Sequence, residues 1–448
     1  MTAPKKETKK SSQKPTKETQ KLSTESYKGV RDFYPPDMAV QRYIFTTWAE
    51  TAESFGFERY DASIFEPSDL YKAKGAQNEE IVNDQTYTFI DKGDREVTLR
   101  PEMTPTVARM IAGRRRELTF PLRWYAIPNL FRYERPQRGR VREHWQLNCD
   151  IFGTRTEAAD VEIILLASSV LKRFGAKDSD FEIKINSRKL WNSLCEDWKL
   201  SDSQKRELGA LVDRKNKVSE TEFTTTAATI LDSAEILTKF QSVMQSDTSE
   251  KIPRELIQHE AYEELVVVKD RLAKLGVTNV IYDPTIMRGF DYYTGTIFEI
   301  FDTHEDNKRS LLGGGRYDNL TGLFGGEPIP AIGFGMGDVT MRDFLETRDL
   351  IPKDLQHIDL AIIPQNLFFS GDAEKCAQGF RAHGLSVYIS LADKKIGDHI
   401  KAAVARHTTH ILVVGEHEAL SQTFTVKRLS DGKETSGSIE ELASVFTH

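Results

Sequence analysis

Polar and apolar side chains alternate without a break through residues 144–151: His144, Gln146, Asn148 and Asp150 fall on one side, Trp145, Leu147, Cys149 and Ile151 on the other. That period of two belongs to a half-buried β-strand. A shorter run before it sets Arg132 and Glu134 opposite Phe131 and Tyr133, and Pro136 and Gly139 lie between the two. The pattern predicts a strand, a mobile loop and a returning strand. Antiparallel pairing would then bring Arg132, Gln146 and Asp150 onto one polar floor. Upstream, Val40, Ile44, Trp48, Ala52 and Phe55 recur at helical spacing, with Asp37 as a candidate cap and Gly56 as the stop. Such a stripe belongs to a core or a subunit interface. A pair of short strands is expected at 57–60 and 64–66, and a polar loop over 73–84. Residues 97–103 read as a strand ending on Pro101 and Glu102; Thr104 then caps a helix with Pro105 in its first position.

The texture changes along the rest of the chain. Residues 186–275 are helical by pattern and rich in Lys, Glu and Asp, as an insertion into a β-rich domain would be. Strand patterns return at 287–301 (MRGFDYYTGTIFEIF), in LLGGGRYDNL at 311–320 and in AIGFGMG at 331–337, the last feeding a helix near Asp338. The successive glycines permit close backbone approach, by a ligand or by a neighbouring strand with equal weight at Gly333 and Gly335. They form neither a Walker loop nor a dinucleotide fingerprint. From Ile358, strands at 358–363, 385–389 and 410–414 alternate with helices at 373–383 and 396–407, the signature of a βαβ domain. A hairpin turning at Asp431-Gly432 and a last helix from Ile439 close the chain.

Composition narrows the chemistry. A chain of 448 residues holds two to four domains, and at 39% apolar and 29% charged residues it is ordinary for a globular protein. No apolar run is long enough to span a bilayer. The net charge of −7 excludes a polycation, so nucleic acid would have to be held by local basic patches. Five arginines between 132 and 142 make one such patch. Cys149, Cys195 and Cys376 are odd in number and far apart, which argues for a reducing compartment and against a disulfide framework. No HxxxH, HExxH or CxxC pattern suggests a structural metal. Residues 1–26 carry seven lysines and three glutamates and read as a disordered tail. A polar floor with a guanidinium at one point and a carboxylate at another suits a zwitterion joined to a phosphate. A solvated, Arg-rich hairpin is the plainer alternative.

Three stretches decide between them. FRYERPQRGRVREHWQLNCDIFG, RGFDYYTG and GGGRYDNL resemble, in that order, motif 2 and the two histidine signatures of the histidyl-tRNA synthetases, a class II aminoacyl-tRNA synthetase family. The resemblance covers the chain beyond its tail. It implies an α+β fold: a six-stranded antiparallel sheet with flanking helices, a helical insertion and a C-terminal α/β anticodon-binding domain. The expected division is 1–26 tail, 27–185 and 276–350 catalytic domain, 186–275 insertion and 357–448 anticodon-binding domain. The implied activity is ATP-dependent ligation of L-histidine to tRNA(His) through histidyl-adenylate, by a cytoplasmic homodimer with no membrane association. The substrate ATP would carry Mg2+, with no structural metal.

Carried over by position, the resemblance assigns Glu102, Thr104, Gln146, Asp150, Tyr292, Tyr293 and Tyr317 to histidine. It assigns Arg132, Glu134, Arg140 and Arg288 to ATP, with Arg132 and Arg288 gripping the reacting phosphate, and Arg135, Gln137 and Arg138 to the acceptor end of tRNA. Two positions depart from the class pattern. Ser63 stands where motif 1 has a proline at the dimer interface. Thr340 stands where motif 3 has an arginine that stacks on adenine. The second departure favours an alternative, a synthetase-like regulatory subunit that binds histidine, or a partner enzyme, without charging tRNA. Synthetases for proline, threonine or glycine share the general plan, but RGFDYYTG and GGGRYDNL argue against them.

Overall fold

The computed structural model describes residues 22–73, 85–137, 139–246, 253–287, 293–307, 309–392 and 394–446. Its first twelve strands are β1 (Glu58–Arg59), β2 (Phe65–Pro67), β3 (Tyr87–Ile90), β4 (Glu96–Leu99), β5 (Leu122–Ala126), β6 (Asn129–Phe131), β7 (Glu143–Phe152), β8 (Phe181–Ser187), β9 (Val280–Tyr282), β10 (Thr296–Asp302), β11 (Ser310–Arg316) and β12 (Ala331–Gly337). The large sheet runs β1-β5-β7-β12-β11-β10-β8-β9, with β6 paired to β7. From β5 to β8 every neighbour is antiparallel, so six strands form an antiparallel centre. β1 and β9 extend it in parallel at the two edges. This is the α+β sheet that the resemblance implied.

One face of that sheet makes the core. Leu147, Cys149 and Ile151 of β7 and Ile332, Phe334 and Met336 of β12 are buried there, together with Phe298 and Ile300 of β10. They pack on the helix Glu157–Arg173, whose Ile163, Leu166, Val170 and Leu171 are wholly buried. Each such side chain contributes about 1.5–3 kcal/mol of transfer free energy. The helix Pro35–Ser54 adds Ile44, Trp48 and Ala52 to the same core. Most of its stripe is therefore core within the chain, with Val40 and Phe55 partly buried against it. Its cap is Tyr34, with Pro35 opening the helix and Asp37 in the first turn. From there Asp37 accepts from Arg342 Nη2 at 3.1 Å.

Several boundaries differ from expectation. The segments at 57–60 and 64–66 do not pair with each other: β1 lies parallel to β5, whereas β2 joins β4 and β3 in a separate small sheet. β4 stops at Leu99, and the helix after it is Thr104–Arg114, with Met103 at the cap and Pro105 one place further in. The outgoing arm of the arginine hairpin is shorter than its alternation suggested. β6 ends at Phe131, so Arg132 and Glu134 lie beyond it. Most of the 73–84 loop lies outside the described residues.

After β8 the chain forms a run of helices from Arg188 to Lys274 and returns to the sheet as β9. Beyond the helix Asp338–Thr347 comes a second sheet: β13 (Ile358–Pro364), β14 (Val387–Ile389), β15 (Thr408–Val414), β16 (Phe424–Arg428) and β17 (Glu434–Gly437), in the order β14-β13-β15-β16-β17. The first three are parallel, with the helices Ser370–Ala382 and Ile396–Ala405 packed on opposite faces. Ala361 and Ile363 face one helix, Leu360 and Ile362 the other. The chain thus alternates strand and helix as its period shifts required.

A buried ion pair ties the glycine strand to the core helix. Arg316, at the end of β11, is paired with Asp160 of Glu157–Arg173 and donates to the carbonyls of Thr154 at 2.9 Å and Thr156 at 3.2 Å. Replacing Arg316 by methionine leaves Asp160, 2% exposed, as an uncompensated buried charge. Arg316→Met should lower unfolding free energy by about 3–5 kcal/mol, read by urea denaturation. A change under about 1 kcal/mol would mean that the pair is dispensable.

Candidate functional site

The face of the large sheet opposite the core carries the polar side of β7. His144, Gln146, Asn148 and Asp150 project from it in sequence order, as the period-two pattern requires. Opposite Asp150, Asn148 and Gln146, β12 presents Gly333, Gly335 and Gly337, and β11 continues the row with Gly315 and Gly313. These glycines leave room for side chains. A Cβ on Gly333 would lie 1.9 Å from Asp150 Oδ1, and one on Gly335 2.6 Å from Gln146 Nε2. A Cβ on Gly315 would lie 2.8 Å from the ring of Tyr293. The ambiguity at Gly333 and Gly335 is resolved by sterics: the backbone is stripped so that functional side chains can lie across it. On β10 the same face carries Glu299, buried beside Gly313. The result is a trough floored by glycine and walled by Gln146 and Asp150 on one side and Glu299 on the other.

At one end of the trough stands a buried acid. Asp150, 5% exposed, accepts a 2.5 Å hydrogen bond from the hydroxyl of Tyr317. Burial raises its pKa to about 7, although the Tyr317 bond acts in the opposite sense. Tyr317 is itself fixed by its backbone N–H on Ala331 O at 2.8 Å and by an edge contact with Phe152. A further phenol, Tyr60, follows β1 and lies against Trp124, the cross-strand partner of Asp150. Its hydroxyl is buried without a hydrogen-bond partner among the described residues. Burial, and next the Asp150 charge, hold that hydroxyl well above the usual phenol range. The sequence reading missed Tyr60, since a tyrosine at a strand end carries no signal of its own.

The opposite end belongs to arginines. Arg132 leaves β6 and donates from Nε to the carbonyl of Pro101 at 2.9 Å, which ties the hairpin to the turn holding Glu102 and Thr104. Those two are half-buried at the start of the helix Thr104–Arg114. His144 lies between charges: burial, then Arg132, then Arg31 push its pKa down to about 3, so it is a neutral imidazole at pH 7. Beyond Arg132 the hairpin closes with paired backbone bonds between Gln137 and Arg140 of 3.1 and 2.8 Å, and with Gly139 at φ +73°. Arg135, Gln137 and Arg140 are exposed there, and Arg140 Nε lies 3.5 Å from Glu134 Oε2. Arg142 differs from its neighbours. It is buried, donates to Glu134 O and Tyr27 Oη, and stacks over Tyr133 at 4.0 Å, which fastens the N-terminal segment to the hairpin.

The structure thus brings Gln146, Asp150, Tyr293 and Tyr317 into one trough and sets Arg132, Glu134 and Arg140 towards its other end. Arg138, Arg288 and Tyr292 lie outside the described residues. Thr340 turns inward, donating to the carbonyls of Leu311 and Gly337 at 3.2 Å each. Arg342 is engaged by Asp37 and Glu346. Among the described residues no group of three or more His, Cys, Asp or Glu side chains could hold a metal, and no helix is long and apolar enough to cross a membrane.

An antiparallel sheet of this order, with an acid and tyrosines at one end of a glycine-floored trough and an arginine hairpin at the other, defines a class II aminoacyl-tRNA synthetase fold. Sequence comparison narrows the class. The family model described as histidyl-tRNA synthetase matches residues 29–338, and that of an anticodon binding domain matches 359–448. The chain is 42% identical over 427 residues to the histidine–tRNA ligase of Leptospira biflexa, covering 94% of this chain and 97% of that one. It is 37% identical to the enzyme of the same name from Thermoplasma volcanium, over 92% of this chain and 96% of that one. The fold is shared with a crystal structure of histidyl-tRNA synthetase from Nostoc (TM-score 0.81, 22% identity, 95% of this chain and 99% of that one). The chain belongs to the histidyl-tRNA synthetase family.

Asp150 carries a pH signature. Unfolded, its carboxyl loses a proton near the ordinary 3.8; folded, it keeps the proton to about 7. Between those values the folded state binds more protons, so this group's contribution to stability is full at low pH and is lost as pH rises towards 7. The span corresponds to about 4 kcal/mol. Asp150→Asn, which cannot ionise, should therefore gain stability relative to the wild type at pH 8 and not at pH 4. Urea unfolding at both pH values reads the difference; equal differences would show that Asp150 ionises freely in the folded protein.

Proposed function

We propose that the protein joins L-histidine to tRNA(His) in two steps, through histidyl-adenylate. The observation that carries this reading is the trough itself: a carboxyl group, half ionised near neutral pH, meets tyrosines at one end, and the floor leads to guanidinium groups at the other. A histidine seated against Asp150, Tyr293 and Tyr317 presents a cation and ring nitrogens to a buried acid and phenols. A site that hydrogen-bonds a polar ring discriminates strongly against analogues lacking those atoms, because its own buried groups would go unpaired. Glu102, Thr104 and Gln146 would hold the α-ammonium and carboxylate, and Tyr292 completes the set by position.

In the first step a carboxylate oxygen of histidine forms a bond to the α-phosphorus of ATP, and the bond to the bridging oxygen breaks, releasing pyrophosphate. The nucleophile is already ionised, so alignment and positive charge do the catalysis. Arg132, held by Pro101 O, and Arg288 are assigned to the α-phosphate; Arg140 and Glu134, on the hairpin, meet the rest of the nucleotide. Planar guanidinium forks suit phosphate oxygens better than an ammonium group does. Magnesium would enter with the ATP phosphates and would neutralise charge on the leaving pyrophosphate. In the second step the terminal adenosine hydroxyl of tRNA takes the histidyl group. Arg135, Gln137 and Arg138 are placed by sequence on the hairpin that would meet the acceptor end, and the domain from Ile358 would take the anticodon.

We assign this activity to the cytoplasm, on the support of three free, buried cysteines. The partner copy of a homodimer would be met by the small sheet, where Phe65, Phe89 and Ile90 are exposed.

The test is histidine-dependent exchange of labelled pyrophosphate into ATP, on the wild type, Arg132→Ala and Gly333→Ala. The wild type should exchange with histidine and with no other amino acid. Arg132→Ala should lose about 100-fold or more in rate, the scale of one transition-state charge contact. Gly333→Ala should raise the KM for histidine by displacing Asp150. Binding of histidine without any exchange by the wild type would favour the regulatory alternative that Thr340 suggests.

A further inference from the structure

Thr340 and Arg342 are both spent on contacts within the protein, so neither can provide a flat cation for the nucleotide base. A different arginine comes to the start of the same helix from the other end of the chain. Arg31, in the segment fastened to the hairpin by Arg142, reaches the first residue of the helix Asp338–Thr347. Its Nη2 donates to Asp338 Oδ2 at 2.8 Å and lies 3.5 Å from the carbonyl of Glu143. Asp338 is itself fixed, accepting from the backbone N–H of Trp145 at 2.9 Å. The guanidinium is therefore held by one edge. One of its faces lies over Phe33, with 4.9 Å to the ring centroid; a purine would stack on the other. Nε is buried and has no hydrogen-bond partner among the described residues.

Next to it on the polar face of β7 is His144. Its ring makes no hydrogen bond to the described residues, and the charge of Arg31 acts on it directly. His144 is six residues from Asp150 along one strand, about 20 Å. The amino-acid end and this corner thus bracket the trough, with Gln146 and Asn148 between them on β7 and Arg132 just beyond His144. A guanidinium plane and a neutral imidazole meet the needs of a purine: a cation to stack on its π face and a ring nitrogen to pair with its edge.

We propose that Arg31, with His144 beside it, forms the subsite for the adenine base of ATP and takes the place left by Thr340. The inference rests on the proposed function and adds to it a residue from the N-terminal segment. Arg31 positions the nucleotide and takes no part in bond making.

The experiment uses the full chain and the variants Arg31→Ala and Arg31→Lys in pyrophosphate exchange. Tripolyphosphate, which lacks a base, serves as a competing inhibitor. Arg31→Ala should raise the KM for ATP about tenfold and leave the KM for histidine and the inhibition constant of tripolyphosphate within about twofold. Arg31→Lys keeps a cation for Asp338 but has no plane to stack, so it should retain the wild-type melting temperature and still show the raised KM for ATP. The proposal is overturned if lysine restores the KM, if tripolyphosphate weakens in parallel with ATP, or if the alanine variant is normal. If the wild type itself fails to exchange, the proposed function falls. Equilibrium dialysis of ATP against tripolyphosphate on the same variants then decides the Arg31 assignment separately.

Discussion

A carboxyl group can lie across the middle of a β-sheet only where the neighbouring strand has no side chains to exclude it. That steric condition is met at Gly333, where a Cβ would fall 1.9 Å from Asp150 Oδ1, and again at Gly335 beneath Gln146. Much of the site follows from it. The emptied backbone lets Asp150 be buried, burial raises its pKa, and Tyr317 supplies a short hydrogen bond that keeps it oriented. Glycine weakens a strand, and here the weakness is offset on the reverse face. Ile332, Phe334 and Met336 alternate with the glycines and are buried against the core. One strand thus serves packing with one set of residues and clearance with the other.

The arginines divide in a comparable way. Arg316 and Arg142 are buried and engaged within the protein, the first by Asp160 and two carbonyls, the second by carbonyls and tyrosine side chains. They set the position of Tyr317 and of the hairpin base. Arg135 and Arg140 are exposed at the hairpin end, where long, hydrated side chains can follow a polyanion. Arg132 and Arg31 stand between these extremes, each anchored at one point with much of the guanidinium left over. Groups held at one edge in a partly dry setting are suited to bind a ligand, since little ordering remains to be done on binding.

Local pattern was enough to determine much of this molecule. The alternation at 144–151 placed His144, Gln146, Asn148 and Asp150 on one face because the side-chain period of a strand is fixed at two. The switch to helical spacing after Arg188, and the strand–helix alternation after Ile358, followed equally from short-range geometry. Three motif stretches were specific enough to identify the family. What only the tertiary structure decided depends on contacts between distant residues. Alternation could not show that β6 stops at Phe131, since pairing partners end a strand, nor that 57–60 and 64–66 join different sheets. The stripe of Pro35–Ser54 had two possible uses, and the helix Glu157–Arg173 settled most of it as core. The purpose of Gly333 and Gly335 became visible only with Asp150 and Gln146 across them. Arg31 carried no signal at all, because its meaning lies in a carboxylate 307 residues away. Sequence records periodicity and local chemistry; which distant groups come to share a space is set by packing of the whole chain.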